Sequence, residues 1–93
     1  MTTVTVDDDD SKTIDLGNSN SMSITAVGGK ATVHIDYEKP PGSGKYVSAI
    51  KGSSSLHNPF EVAVGTPQIV NKADLESEKV RVSVSDANIK VTY

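Results

Sequence analysis

Apolar and polar residues alternate along much of the chain with the period of two that a pleated strand imposes. One such run, Lys79 to Tyr93, sets Val80, Val82 and Val84 against Arg81, Ser83 and Ser85, then resumes as Ile89, Val91 and Tyr93 against Lys90 and Thr92. The spacing predicts a β-hairpin with Asp86-Ala87 at its tip, pairing Ser85 with Asn88, Val84 with Ile89, Val82 with Val91 and Val80 with Tyr93. A second run, Ser21 to Tyr37, carries Gly28-Gly29 at its centre. Glycine reaches the positive φ of a tight turn without steric cost, so this stretch also predicts a hairpin. Its pairs are Val27 with Lys30, Ala26 with Ala31, Ile24 with Val33 and Met22 with Ile35. Both hairpins then have one apolar and one polar face, the pattern of antiparallel sheets covered on one side, and they are expected as facing layers.

Shorter alternations complete the set. Residues 3–6 (TVTV) and 12–16 (KTIDL) read as strands flanking Asp7 to Asp10, and Gly17 to Asn20 is a turn cluster. Lys39 to Gly44 is a loop, because Pro40 and Pro41 cannot donate to a ladder. Tyr46 to Lys51 and Leu56 to Val64 read as strands, the latter with Phe60, Val62 and Val64 on one side. Gln68-Ile69-Val70 follows, and Asn71 is a candidate cap for one helical turn around Leu75, with a loop as the alternative. About eight or nine short strands at this spacing predict an all-β fold, a small antiparallel β-sandwich or jelly-roll-like barrel.

Composition agrees. Twelve Val and six Ile stand against three Leu, with eight Thr, in 93 residues. β-Branched side chains favour strands over helices. The length predicts a single domain, residues 1–93, with the first twenty as N-terminal strands plus an acidic loop and a candidate contact arm. With no Trp, one Phe and three Tyr, the core lacks the rings that usually fill a sandwich, so burial between subunits is expected to add to it.

Chemistry is sparse. The absence of cysteine excludes disulfides, thiolate nucleophiles and Cys-ligated metals. A net charge of −3 with no basic stripe argues against a nucleic-acid partner. No apolar run reaches the length of a membrane span, and the first ten residues lack the regions of a signal peptide. Asp7, Asp8, Asp9 and Asp10 read as a solvated loop. As calcium ligands they lack the spaced acidic pattern and the following bidentate Glu. The segment GSGK at 42–45 lacks the spacing of a phosphate loop. His34, expected beside Ser23, invites a hydrolase reading but lacks a visible orienting carboxylate, and His57 reads as structural. The remaining carboxylates are scattered, so no enzyme, no catalytic residue and no cofactor are expected. Lys79, Arg81, Ser83, Lys90 and Thr92 form the polar face of the closing hairpin, either solvated or a contact surface. Lys79, Arg81, Lys90, Pro40, Pro41 and Tyr46 are the candidate interface residues, Arg81 first because a guanidinium can pair with a carboxylate.

The order of features carries a resemblance. An N-terminal strand pair, a hairpin with Gly28, Gly29, Ala31, Thr32 and Val33, a loop, a Pro-containing middle, and Val80-Arg81-Val82 leading to a terminal hairpin through Tyr93 resemble small virion proteins of tailed bacteriophages. The resemblance spans Ser21 to Tyr93 in short, permissive motifs. It implies a non-enzymatic capsid decoration or cement protein, a homo-oligomer with a trimer favoured, whose partner is a major capsid protein or another virion protein. It also implies location in the virion after synthesis in the host cytoplasm. The alternative is an immunoglobulin-like or carbohydrate-binding recognition module, for example in a tail or fibre, with Tyr37, Tyr46, Tyr93 and Phe60 as its available rings.

Overall fold

A computed structural model describes residues 2–38, 42–48, 58–75 and 79–93. Pro40, Pro41, Leu56, His57 and the end of the strand expected through Lys51 lie outside the described residues. The described residues form nine strands in order: β1 (Thr3–Val6), β2 (Ser11–Asp15), β3 (Ser21–Val27), β4 (Ala31–Glu38), β5 (Tyr46–Ser48), β6 (Phe60–Val62), β7 (Gln68–Asn71), β8 (Lys79–Ser85) and β9 (Asn88–Thr92). One 3₁₀ turn, Lys72–Asp74, follows β7. Asn71 precedes it without a side-chain capping bond, and Leu75 after it is buried.

The strands make an antiparallel β-sandwich. One sheet runs β1-β9-β3-β7, and the other runs β2-β8-β4-β5 with β6 also on β4. Among the described residues the two sheets stay open, and no closed barrel forms.

Neither predicted hairpin exists as a ladder. β8 pairs with β2 and β4, setting Val82 opposite Lys12 and Ile35, while β9 pairs with β1 and β3, setting Val91 opposite Val4 and Ile24. The pairs expected within Lys79 to Tyr93 and within Ser21 to Tyr37 are therefore replaced. Each stretch is a β-arch, whose two strands enter different sheets and turn their apolar faces toward each other across the core. The predicted hairpins are thus not the two layers, because each one is divided between them. Alternation is the same in a hairpin and an arch, since both send every second side chain inward.

Three arches lie side by side at one end of the sandwich. Asp9 N donates to Val84 O at 3.0 Å and Asp8 N to Asn88 Oδ1 at 2.8 Å, joining the Asp7–Asp10 arch to the Asp86-Ala87 arch. Thr32 Oγ1 donates to Asp86 Oδ2 at 2.9 Å, and a Cβ added to Gly29 would meet Ala87 Cβ at 3.9 Å, so the third arch nests against the second. Asp9, Gly28 and Asp86 take positive φ of 62°, 81° and 75° to make these reversals. Thr3 to Asp15 are integral to the sandwich, with β1 and β2 each forming a sheet edge.

The core lies between the layers. Val6, Ile14, Met22, Ile24, Val33, Ile35, Val62, Val80, Val82, Ile89 and Val91 are fully buried, each worth about 1.5–3 kcal/mol. Phe60 and Val62 point inward as the alternation requires. Val64 does not: it sits past the end of β6 in a turn and is 58% exposed. Tyr93 packs on the core, and its backbone exchanges hydrogen bonds of 2.7 and 2.9 Å with Thr2.

β4 is the central scaffold of its sheet. β8 covers one of its edges, while β5 and β6 share the other in succession. Between them, Asn58 fills the interval with its side chain: Oδ1 accepts from Ile35 N at 3.0 Å and Nδ2 donates to Ile35 O at 2.6 Å. A side-chain amide here stands in for a peptide group, two positions before the first residue of β6. Pro59, which has no N–H, adjoins that strand and removes nothing from the ladder.

Candidate functional site

The most organised polar group lies on the outer face of the β2-β8-β4-β5 sheet. Inward-pointing Val33, Ile35 and Tyr37 fix β4 so that Thr32, His34 and Asp36 face outward. On β8 the same alternation turns Arg81 and Ser83 outward, and the register places Asp36 opposite Arg81 and His34 opposite Ser83. Tyr46 begins β5 opposite Glu38, diagonal to Arg81 across β4.

These side chains form one connected row. His34 Nε2 lies 3.0 Å from Asp36 Oδ1, and an Arg81 terminal nitrogen donates to Asp36 Oδ2 at 3.4 Å. The guanidinium carbon of Arg81 lies 4.2 Å from the centroid of the Tyr46 ring, a cation–π contact. Asp36 is the enclosed member, with its side chain 13% exposed against 39% for both His34 and Arg81. Arg81 Nε is buried without a hydrogen-bond partner among the described residues. The guanidinium is thus contacted by the Tyr46 ring and by the Asp36 carboxylate, and the Arg81–Tyr46 pair stays half-exposed.

Beside the row, the backbone N–H groups of Gly42 and Gly44 both donate to the Glu38 carboxylate, the latter at 3.1 Å. Those bonds, the Gly42 bond foremost, and then the Lys79 charge hold the exposed Glu38 carboxyl below its usual range. Glu38 thereby anchors the start of the segment that leads into Tyr46.

Of the residues singled out from the sequence, Arg81 and Tyr46 come together, with Lys79 on the same strand as Arg81. Lys90 does not join them: on β9 it belongs to the opposite sheet, because the closing hairpin is an arch. Its neighbour Thr92 goes with it. Ser23 and His34 are likewise in different sheets, so the predicted Ser–His pair does not form, and the serine opposite His34 is Ser83. Asp36, the centre of the row, went unrecognised, although Asp36 and His34 two residues apart on an alternating strand place both on one face. The four carboxylates of the Asp7–Asp10 arch are exposed, with Asp10 Oδ1 accepting from Ser11 N at 2.8 Å. Among the described residues no three His, Cys, Asp or Glu side chains are grouped to hold a metal ion. Nor is any helix there long and apolar enough to cross a membrane.

A second feature lies on the other layer. An open cleft of about 590 Å³ is formed by the β2–β3 turn and the outer side of β3 and β9, with Asn18, Asn20, Ser21, Ser23, Thr92 and Tyr93 on its walls.

Fold and surface together define a β-sandwich with a preorganised polar row on one layer and a polar cleft on the other. No family model matches the chain, and comparison with curated proteins and with solved structures likewise finds no match.

Proposed function

We propose that this chain is a non-enzymatic structural protein of a tailed-bacteriophage virion, which self-associates as a trimer and docks on the capsid surface as a decoration protein. The observation that carries the reading is the Arg81–Tyr46 surface. Arg and Tyr are over-represented among residues that dominate protein–protein affinity, and a side chain already held in place loses little freedom on binding. A half-exposed Arg–Tyr pair on the outer face of a sheet suits a protein surface better than a small substrate. Binding only the assembled shell would stabilise that shell by mass action.

The strand order supports the same reading at the level of architecture. With β5 and β6 sharing one position, the sheets follow the winding of a jelly roll, an architecture of viral capsid and lectin domains alike. In an immunoglobulin domain the sheets are ordered differently, which favours the jelly roll over that alternative. Such a likeness concerns fold and leaves the site to carry function.

Two measurements test the proposal. Light scattering on the purified 9.8 kDa chain is expected to give a trimeric mass. Incubation with empty capsids of tailed phages from the same source is expected to deplete the protein from solution, with Arg81→Glu losing the association while its melting curve stays cooperative. A monomer that associates with no such particle overturns it.

A further inference from the structure

The cleft on the β1-β9-β3-β7 layer has chemistry of its own. Its walls carry amides, hydroxyls and one phenol ring, and no charged side chain lines it. Ser21 and Ser23 are turned outward by the burial of Met22 and Ile24, and the register sets Ser23 beside Thr92. Thr92 Oγ1 is paired with Thr3 Oγ1 at 3.2 Å. By contrast, the side chains of Asn18, Asn20, Ser21 and Ser23 have no hydrogen-bond partner within the chain among the described residues.

The walls are also fixed. Ser19 N donates to Leu16 O at 2.8 Å, closing the turn, and Lys72 N donates to Asn20 O at 2.8 Å. The Lys72 ammonium reaches Gly17 O at 2.7 Å. Its charge is thus directed at the backbone of the turn. Tyr93 is held by its two backbone bonds to Thr2 and by packing against the core.

We infer that this cleft is a binding site for a neutral saccharide unit. Its volume lies within the range of about 300–1,000 Å³ common to small-molecule sites. Asn amides supply donor and acceptor together, which matches vicinal hydroxyls, and serine hydroxyls rotate to serve either role. The half-buried Tyr93 ring offers a platform for the C–H face of a sugar, with a phenol able to hydrogen-bond at its rim. With no cationic side chain in the lining, an anionic sugar finds no ion pair to offset its desolvation, so neutral sugars are preferred. The site lies on the layer opposite Arg81. Both faces can be engaged at once, and this inference stands without the capsid reading.

The experiment is an amide NMR titration of the whole chain with glucose, galactose and N-acetylglucosamine, each to about 50 mM, where millimolar affinities are readable. Cellobiose, lactose and chitobiose form a second arm, and glucuronic acid is the charged comparison. Saturable shifts centred on Asn20 to Ser23 and Tyr93 are expected with at least one neutral sugar. An Asn18→Ala/Asn20→Ala variant, altered only at exposed turn positions, is expected to weaken that binding about tenfold or more, a loss of at least one hydrogen-bonded contact. Tighter binding of the disaccharide supports a site for a residue within a polymer, and equal binding supports a terminal sugar. No saturable shift with any neutral sugar, equal or tighter binding of glucuronic acid, or an undiminished response in the double variant overturns the inference.

Discussion

The Arg81 guanidinium carbon stands 4.2 Å from the centre of the Tyr46 ring, and the same guanidinium bonds Asp36 from the side. Stacking and charge pairing therefore act on one side chain. A double-mutant cycle with Arg81→Ala and Tyr46→Ala is expected to give a coupling of about 0.5–2 kcal/mol in denaturant unfolding. Arg81→Lys should recover only part of it, since an ammonium keeps the charge and loses the planar fork. Strict additivity would remove the stack from the account.

Asp36 and the Lys30–Glu61 pair offer a contrast within one sheet. The Asp36 carboxylate is mostly enclosed and faces both His34 and Arg81, whereas Lys30 and Glu61, 3.1 Å apart, are each 63% exposed. Asp36→Ala is expected to cost about 1–3 kcal/mol, because it strips a partly buried guanidinium of its partner. Lys30→Ala is expected to cost less than about 1 kcal/mol. Equal losses in urea melts would contradict the burial difference.

Asn58 completes the edge of β4 with its side chain. Asn58→Ala removes both bonds to Ile35 and leaves a partly buried N–H and C=O without partners, for an expected loss of about 1–3 kcal/mol. Hydrogen exchange gives the sharper readout: the Ile35 amide should lose protection far more than Val33, which is laddered to Phe60 on β6.

At the arch tips, Gly28 and Asp86 carry the positive φ. Gly28→Ala meets no neighbour within 4 Å yet is expected to destabilise by about 1 kcal/mol, purely from the left-handed backbone. Asp86→Ala should cost more than Asp86→Gly, since it loses the Thr32 bond while keeping the strain. Thermal melts of the three variants rank these terms, and the reverse order for Asp86 would refute the strain argument.

Glu38 sets a pH dependence. Its carboxyl is held below the usual value in the folded chain, so the bound, ionised form contributes stability that is fully present above the unfolded pKa of about 4.3. That contribution is lost as pH falls through the lower folded value. The Gly42 and Gly44 amide resonances should move together only below the ordinary carboxylate range, and Glu38→Gln should abolish that titration. Movement centred at neutral pH would point to another group.

The alternation of Val80, Val82, Val84, Ile89 and Val91 is legible as strand structure and as a core face, and all five are buried. What it cannot encode is which strand lies beside which. A hairpin and an arch share the same inward set, and a two-residue tip such as Asp86-Ala87 serves either. From that one ambiguity come the misplacement of Lys90 beside Arg81 and of Ser23 beside His34. Val64 follows its strand's parity in sequence but lies past the strand's end, where parity has no force. The Arg81 row was half legible: Arg81 and Tyr46 are visible as candidates, but their meeting depends on β5 and β8 flanking β4, a relation set by residues far apart. The cleft was least legible, because Asn18 and Asn20 read as turn residues and Thr92 and Tyr93 lie more than seventy positions away.

The arches also bear on how quickly the chain can find its structure. β3 and β4, like β8 and β9, are neighbours in sequence that make no ladder with each other, and among the described residues β4 and β5 are the only consecutive strands that pair. Every other ladder must close a loop before any of its hydrogen bonds form, up to the β1–β9 pairing that spans nearly the whole chain. Domains dominated by such distant pairings fold in about milliseconds to seconds. Nucleation must therefore wait on a collapse that brings remote strands together, and β4, flanked on both edges, is the natural centre of that nucleus.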